Sequence, residues 1–152
     1  MRWIWVSLIM DERRACLLKW IVTDADVSEM DKVNELIEQV AEEKPVPPKP
    51  LMQIMLAVEE LFVNVAHYAY DGKPGKVKIG AGIESAPAAM KIIIEDMGKP
   101  FDPLAKEEAD VTLSADERPI GGLGIFLVRK TMDDVSYERD GDTNRLTIRK
   151  LI

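Results

Sequence analysis

The sequence predicts a two-layer α+β domain, a mixed and mostly antiparallel sheet covered on one face by about three helices. Three observations predict it. Apolar residues recur at helical spacing in separate stretches. Short apolar, partly β-branched runs stand in pairs joined by tight turn signals, as hairpins do. The order read along the chain is strand, helix, helix, strand, strand, long loop, helix, strand, strand. Sequential strands with short turns make an antiparallel or mixed sheet, not a doubly wound one.

The start, "MRWIWVSLIMDERR", reads as a first strand or an upstream extension over residues 1–14, ahead of one domain over 15–152. A signal peptide needs a longer apolar region and small residues at its cleavage site. Here the charged residues Asp11 to Arg14 close the run. Trp3, Trp5 and Trp20 read as packing residues. "ACLLKWIV", residues 15–22, suits a strand. In "SEMDKVNELIEQVAEE" Ser28 is the expected N-cap, and Met30, Val33, Leu36, Ile37 and Val40 form the apolar stripe. "KPVPPKP" stops that helix and reads as a stiff connector of polyproline II character.

A second helix is expected over 51–69, then a turn at "DGKPG". "KVKIGAGIE" and "AMKIIIED" form a hairpin through "SAPA". Residues 97–120 lack a periodic pattern, and a loop of that length tends to be functional. "GGLGIFLVRKTM" opens with glycines and continues as an apolar helix. "DVSYERDGDTNRLTIRKLI" is a closing hairpin with "DGDTN" as its turn.

Composition limits the partners. Lys plus Arg is 20 and Asp plus Glu is 27, a net charge of −7. Nucleic acid as the main partner would need a basic face, so none is expected. Cys16 is the only cysteine. That excludes an internal disulfide and a cysteine metal cluster, and a cytoplasmic location is the simplest expectation. The chain holds no apolar run of membrane-spanning length, so no helical span is expected.

Three constellations carry chemistry. In "AVEELFVNVAHYAY", Leu51, Met55, Val58, Phe62 and Val65 make a stripe that should face the sheet. Glu60, Asn64 and His67 fall together on roughly the opposite side. By spacing alone they could be a solvated face. A carboxylate and an amide oxygen at i and i+4 could instead hold Mg²⁺, directly or through water. His67 reads as a structural hydrogen-bonding residue. In "IIIEDMGKPFD", Asp96 follows an apolar strand and Gly98 lets the chain turn. A carboxylate there can accept from an amino group such as the adenine amine; an ordinary strand-end turn is the simpler alternative. In "GGLGIFLV", Gly121, Gly122 and Gly124 lead into a helix whose bare N–H groups suit phosphate. The pattern is neither a Walker A loop nor a dinucleotide fingerprint.

Taken together, these motifs in this order resemble the GHKL ATPase superfamily (gyrase, Hsp90, histidine kinase and MutL type). "EELFVNVAHYAY", "DMGKPFDP" and "GGLGIFLVRKTMDDVSYER" resemble, within it, the bacterial anti-sigma factor serine/threonine kinases of the RsbW and SpoIIAB type. The resemblance covers residues 15–152 and implies the ATP-binding Bergerat fold. It implies ATP and Mg²⁺ as cofactors, with Asn64 coordinating Mg²⁺ on the ATP phosphates. Asp96 would bind the adenine amine, and Gly98 would let the backbone approach the base. Gly122 and Gly124 would contact phosphates, and residues 103–120 would form the lid. Glu60 would be the catalytic general base; Glu59 is adjacent, but only Glu60 is four residues before Asn64.

The implied reaction is transfer of the ATP γ-phosphoryl group to a serine or threonine of a STAS-domain anti-anti-sigma protein. The implied partners are that protein, a sigma factor that the kinase sequesters, and a second copy in a homodimer. The chain departs from the wider superfamily in three respects, the first being that residues 1–14 have no counterpart in it. It has no phosphoacceptor helix pair, so a sensor histidine kinase is not expected. Its lid carries only Lys106 and Arg118 as cations. An ATP-gated sequestering module without useful kinase activity is the alternative, and a plain interaction domain without nucleotide is a third reading.

Overall fold

The computed structural model describes residues 5–11, 14–105 and 122–152. Residues 106–121 lie outside that set, and with them most of the expected lid, Lys106, Arg118 and Gly121. Among the described residues the strands form one six-stranded sheet, ordered β1-β2-β3-β4-β6-β5. They are β1 (Trp5–Asp11), β2 (Arg14–Asp24), β3 (Lys76–Ser85), β4 (Ala88–Asp96), β5 (Asp134–Asp140) and β6 (Thr143–Leu151). Every neighbouring pair is antiparallel. The helices are α1 (Met30–Glu43), α2 (Pro48–Tyr68) and α3 (Gly122–Thr131). This is the expected α+β architecture.

The sheet and helices meet through one apolar layer. Ile79, Ile92, Ile94 and Ile148 from the sheet pack with Val33 and Ile37 of α1 and with Val58 and Phe62 of α2. Val128 joins them from α3. The other sheet face carries a charged row. Arg145 donates to Glu95 and to Glu138, each at 2.7 Å, and Lys78 Nζ sits 4.3 Å from the Trp20 ring centroid.

Four local expectations change. Ser28 does not cap α1. Asp26 Oδ1 accepts from Ser28 N at 2.8 Å and opens a short 3-10 turn over Val27–Glu29, so α1 starts at Met30. The proline connector is shorter than expected, because α2 begins at Pro48 with Pro47 at its N-cap. First-turn positions need no N–H partner, so prolines fit there.

The buried side of α2 is also broader than the stripe. Ile54, Ala57, Val58, Leu61 and Phe62 are fully buried, while Leu51, Met55 and Val65 are partly buried against the core. The helix is covered by α3 as well as by the sheet, so two sides are apolar. Finally, the closing hairpin turns at Gly141 and Asp142 alone, since Asp140 pairs with Thr143. Gly141 has φ +57°, a left-handed value that glycine adopts without a Cβ penalty. Asn144 is therefore a strand residue.

Candidate functional site

The C-terminal half of α2 lies over the ends of β4 and β6, and a cleft opens between them. Its walls are mostly apolar: Leu61 and Val65 of α2, Ile94 of β4, Ile125 of α3 and Leu146 of β6, with Phe101 and Pro103 from the loop after β4. Asn64, Asp96, Lys99, Tyr137 and Asn144 supply the polar atoms. An apolar slot with a few placed polar groups is the usual form of a small-molecule site.

Asp96 stands on the cleft floor, 7% exposed. Its Oδ1 accepts from Gly98 N and from Asn144 Nδ2, both at 2.9 Å. Its other oxygen has no hydrogen-bond partner among the described residues. The loop beyond Asp96 is bound tightly to the end of α2. Lys99 N donates to Ala69 O at 2.8 Å, and Lys99 Nζ pairs with Asp71 at 2.5 Å. A Cβ on Gly98 would overlap the Ala69 carbonyl, so this approach requires glycine. Tyr70 closes the same corner, donating its hydroxyl to Lys76 O and accepting from Met97 N at 3.0 Å.

The structure separates the three polar residues of α2. Asn64 lines the cleft. Glu60 is half-buried and turns to α3, where its carboxylate lies against Gly124. His67 is exposed, outside the cleft lining, and its ring meets Tyr68 edge to face at 6.0 Å. Gly122 and Gly124 do not precede the helix; they lie in the first turn of α3.

Sequence reasoning missed Asn144, Tyr137 and Arg139. Asn144 faces Asp96 in register across β4 and β6. Its Oδ1 accepts from Tyr137 Oη at 2.6 Å and from Arg139 Nη1 at 3.0 Å. The one available signal was the turn pair Gly141-Asp142, which places Asn144 inside a strand when read as a two-residue loop.

Asn64 fits a magnesium site of the kind in which nucleotide phosphates supply most ligands. Mg²⁺ in such sites takes one or two protein oxygens and keeps several waters. Among the described residues no group of three His, Cys, Asp or Glu side chains could form an all-protein cage.

Known proteins resemble this chain in sequence and in fold. The chain is 35% identical to the serine-protein kinase RsbW of Oceanobacillus iheyensis over 88 residues, 54% of each protein. It is 32% identical to the RsbW of Staphylococcus aureus over 102 residues, 60% of this chain and 61% of that one. The RsbW of Halalkalibacterium halodurans is 34% identical over 91 residues, 57% of this chain and 54% of that relative. The chain thus spans a little over half the length of these curated relatives. Among solved structures, the histidine kinase domain from the Erythrobacter litoralis EL346 blue-light activated histidine kinase superposes with a TM-score of 0.52 at 17% identity. That match covers 82% of this chain and 60% of the other, and it supports the fold alone. The model of the histidine kinase-like ATPase domain family matches residues 23–150. With fold, cleft and family model in agreement, the chain belongs to the histidine kinase-like ATPase domain family.

Proposed function

We propose that this protein is an ATP-dependent protein serine/threonine kinase that acts as an anti-sigma factor. It phosphorylates a STAS-domain anti-anti-sigma protein and sequesters a sigma factor in the cytoplasm. Residues 15–152 form the kinase domain, and β1 (Trp5–Asp11) adds a strand to its sheet. The observation that carries this reading is the Asp96 carboxylate on the floor of an apolar cleft, with one oxygen held by Gly98 and Asn144 and the other without a partner among the described residues. Such an oxygen suits the amino group of adenine.

On this reading the apolar walls take the purine, and Asn64 holds Mg²⁺ on the phosphates. The ion supplies charge neutralisation, which phosphoryl transfer needs more than covalent help from the protein. The N–H groups of the first turn of α3, at Gly122 and Gly124, face phosphate. Glu60 orients or deprotonates the attacking hydroxyl, a contribution of about 10²- to 10⁴-fold. The relatives are named serine-protein kinases, which supports the same reaction class. β1 is the sheet edge and exposes Val6 and Leu8 at 52% and 59%, which supports it as the homodimer surface.

One observation favours the ATP-gated sequestering module without kinase activity: the Glu60 carboxylate packs on Gly124. Two measurements test both readings. Mg-ATP at 100 times its Kd should add about 2.7 kcal/mol to stability, and Asp96→Asn should lose that gain. No shift in folded wild type would remove both readings. Glu60→Gln should bind ATP yet fail to phosphorylate the STAS partner; transfer that persists would remove Glu60 as the base.

A further inference from the structure

Asn144 is 5% exposed and its amide is fully engaged. Nδ2 donates to Asp96 Oδ1 and to Lys99 O, both at 2.9 Å. Oδ1 accepts from Tyr137 and Arg139. A side-chain amide has two donors and two acceptor lone pairs, and here all four are used. The two donors at one end and two acceptors at the other also fix which way the amide points. Arg139 Nη1 reaches on to Gly98 O at 2.9 Å. The network therefore runs from the edge strand β5, through β6, to both residues of the Asp-x-Gly turn.

Its effect falls on Asp96. Two N–H donors converge on Oδ1, from Gly98 and from Asn144. The carboxyl cannot turn about its terminal bond without losing both. The second oxygen is thereby held in one direction as the group that meets whatever enters the cleft. We propose that Asn144 is the positioning residue for base selection, aligning the Asp96 carboxyl so that the cleft favours a purine carrying a 6-amino group. This rests on the nucleotide reading above. Asn144 acts through Asp96, with Tyr137 and Arg139 holding its amide in place.

A merely structural role for Asn144 would weaken every nucleotide alike. A positioning role would weaken only the part of binding that depends on the amino group. The test is a cycle between residue and ligand. Calorimetry measures ATP and purine riboside triphosphate, which lacks the 6-amino group, against wild type, Asn144→Ala and Tyr137→Phe, all with Mg²⁺. Wild type should prefer ATP by about 10- to 100-fold, the worth of a hydrogen bond to a charged group. In Asn144→Ala that preference should fall to about threefold. Tyr137→Phe should lie between, because Arg139 still holds the amide.

Equal weakening of both nucleotides, with the preference intact, would overturn the proposal. Circular dichroism checks the fold of each variant. If Asn144→Ala does not fold, Tyr137→Phe decides, and an unchanged preference there overturns the proposal. Wild type that binds both nucleotides equally would instead remove the adenine role of Asp96. Wild type that binds neither would remove the nucleotide reading itself.

Discussion

Glu60 of α2 and Gly124 of α3 pack carboxylate against backbone: a Cβ on Gly124 would overlap Glu60 Oε2 and approach Cδ to 3.0 Å. The position where α3 brings its first turn onto α2 is thus the position of the proposed base. The two helices cannot shift relative to each other without moving that carboxylate.

Gly124→Ala should therefore uncouple activity from stability. A glutamate tip is flexible and can swing aside, and alanine favours a helix over glycine by about 1 kcal/mol. Thermal unfolding should move little. Transfer to the STAS partner should fall, on the order of 10²-fold, because a displaced group loses its alignment. An unchanged transfer rate would show that the Glu60 position does not matter to the reaction.

Gly98→Ala should behave in the opposite way. Its Cβ would meet the carbonyl and Cβ of Ala69, and the backbone at the end of α2 cannot swing aside. The neighbouring bond from Lys99 N to Ala69 O would have to lengthen. Overpacking of this kind costs about 1–3 kcal/mol. Denaturant unfolding should report that loss, with nucleotide binding weakened in parallel; an unaltered midpoint would mean that the turn has slack.

The ion pair between Glu84 of β3 and Arg149 of β6 sits in the sheet, with side chains 3% and 11% exposed. Arg149 Nε donates to Glu84 Oε2, while its Nη2 is buried without a hydrogen-bond partner among the described residues. Glu84→Ala leaves that guanidinium uncompensated and should cost about 3–5 kcal/mol. Replacing both residues with apolar ones of similar volume should recover most of it. A small effect of Glu84→Ala in urea unfolding would show that water reaches the arginine.

Burial pushes the Cys16 thiol above its ordinary range, and the charge of Glu84 pushes the same way against a smaller opposing effect of Lys91. The thiol stays protonated in the folded protein at neutral pH. Iodoacetamide should label it slowly until denaturant is added. The sign of the linkage follows. Above about pH 8.5 the unfolded thiol loses a proton that the folded one keeps, so stability falls as pH rises through that value. Rapid labelling of native protein at pH 7 would show that this part of β2 opens readily.

Much of the site could be read directly from the residues. Asn64 and Asp96 stand in short patterns whose parts lie on one element or at its end, so local spacing reports them. The cleft confirms only that they share one cavity. His67 falls on the same side of the helix as Glu60 and Asn64, yet it is exposed and outside the cleft lining. Helical periodicity places a residue on a side of a helix but does not show how far along its length the neighbours extend. The N-cap at Asp26 and the prolines at the start of α2 were misread for a related reason. Several residues near each boundary satisfied the local rules, and only hydrogen-bond geometry chose among them.

The sequence by itself determined the order of strands and helices from β2 onward, the α+β class, the apolar stripes and the two motif residues that line the cleft, while it left β1 open between a strand and an extension. These depend on interactions within a few residues, where a 3.6- or two-residue period is visible. Tertiary structure decided that β4 pairs with β6 rather than β5, with β5 on the outside. That choice brings Asn144 opposite Asp96 and Arg139 within reach of Gly98, partners 48 and 41 positions apart in the chain. It also sets Gly124 on Glu60. Contacts at such separation depend on register and on packing between layers, and no local period encodes them.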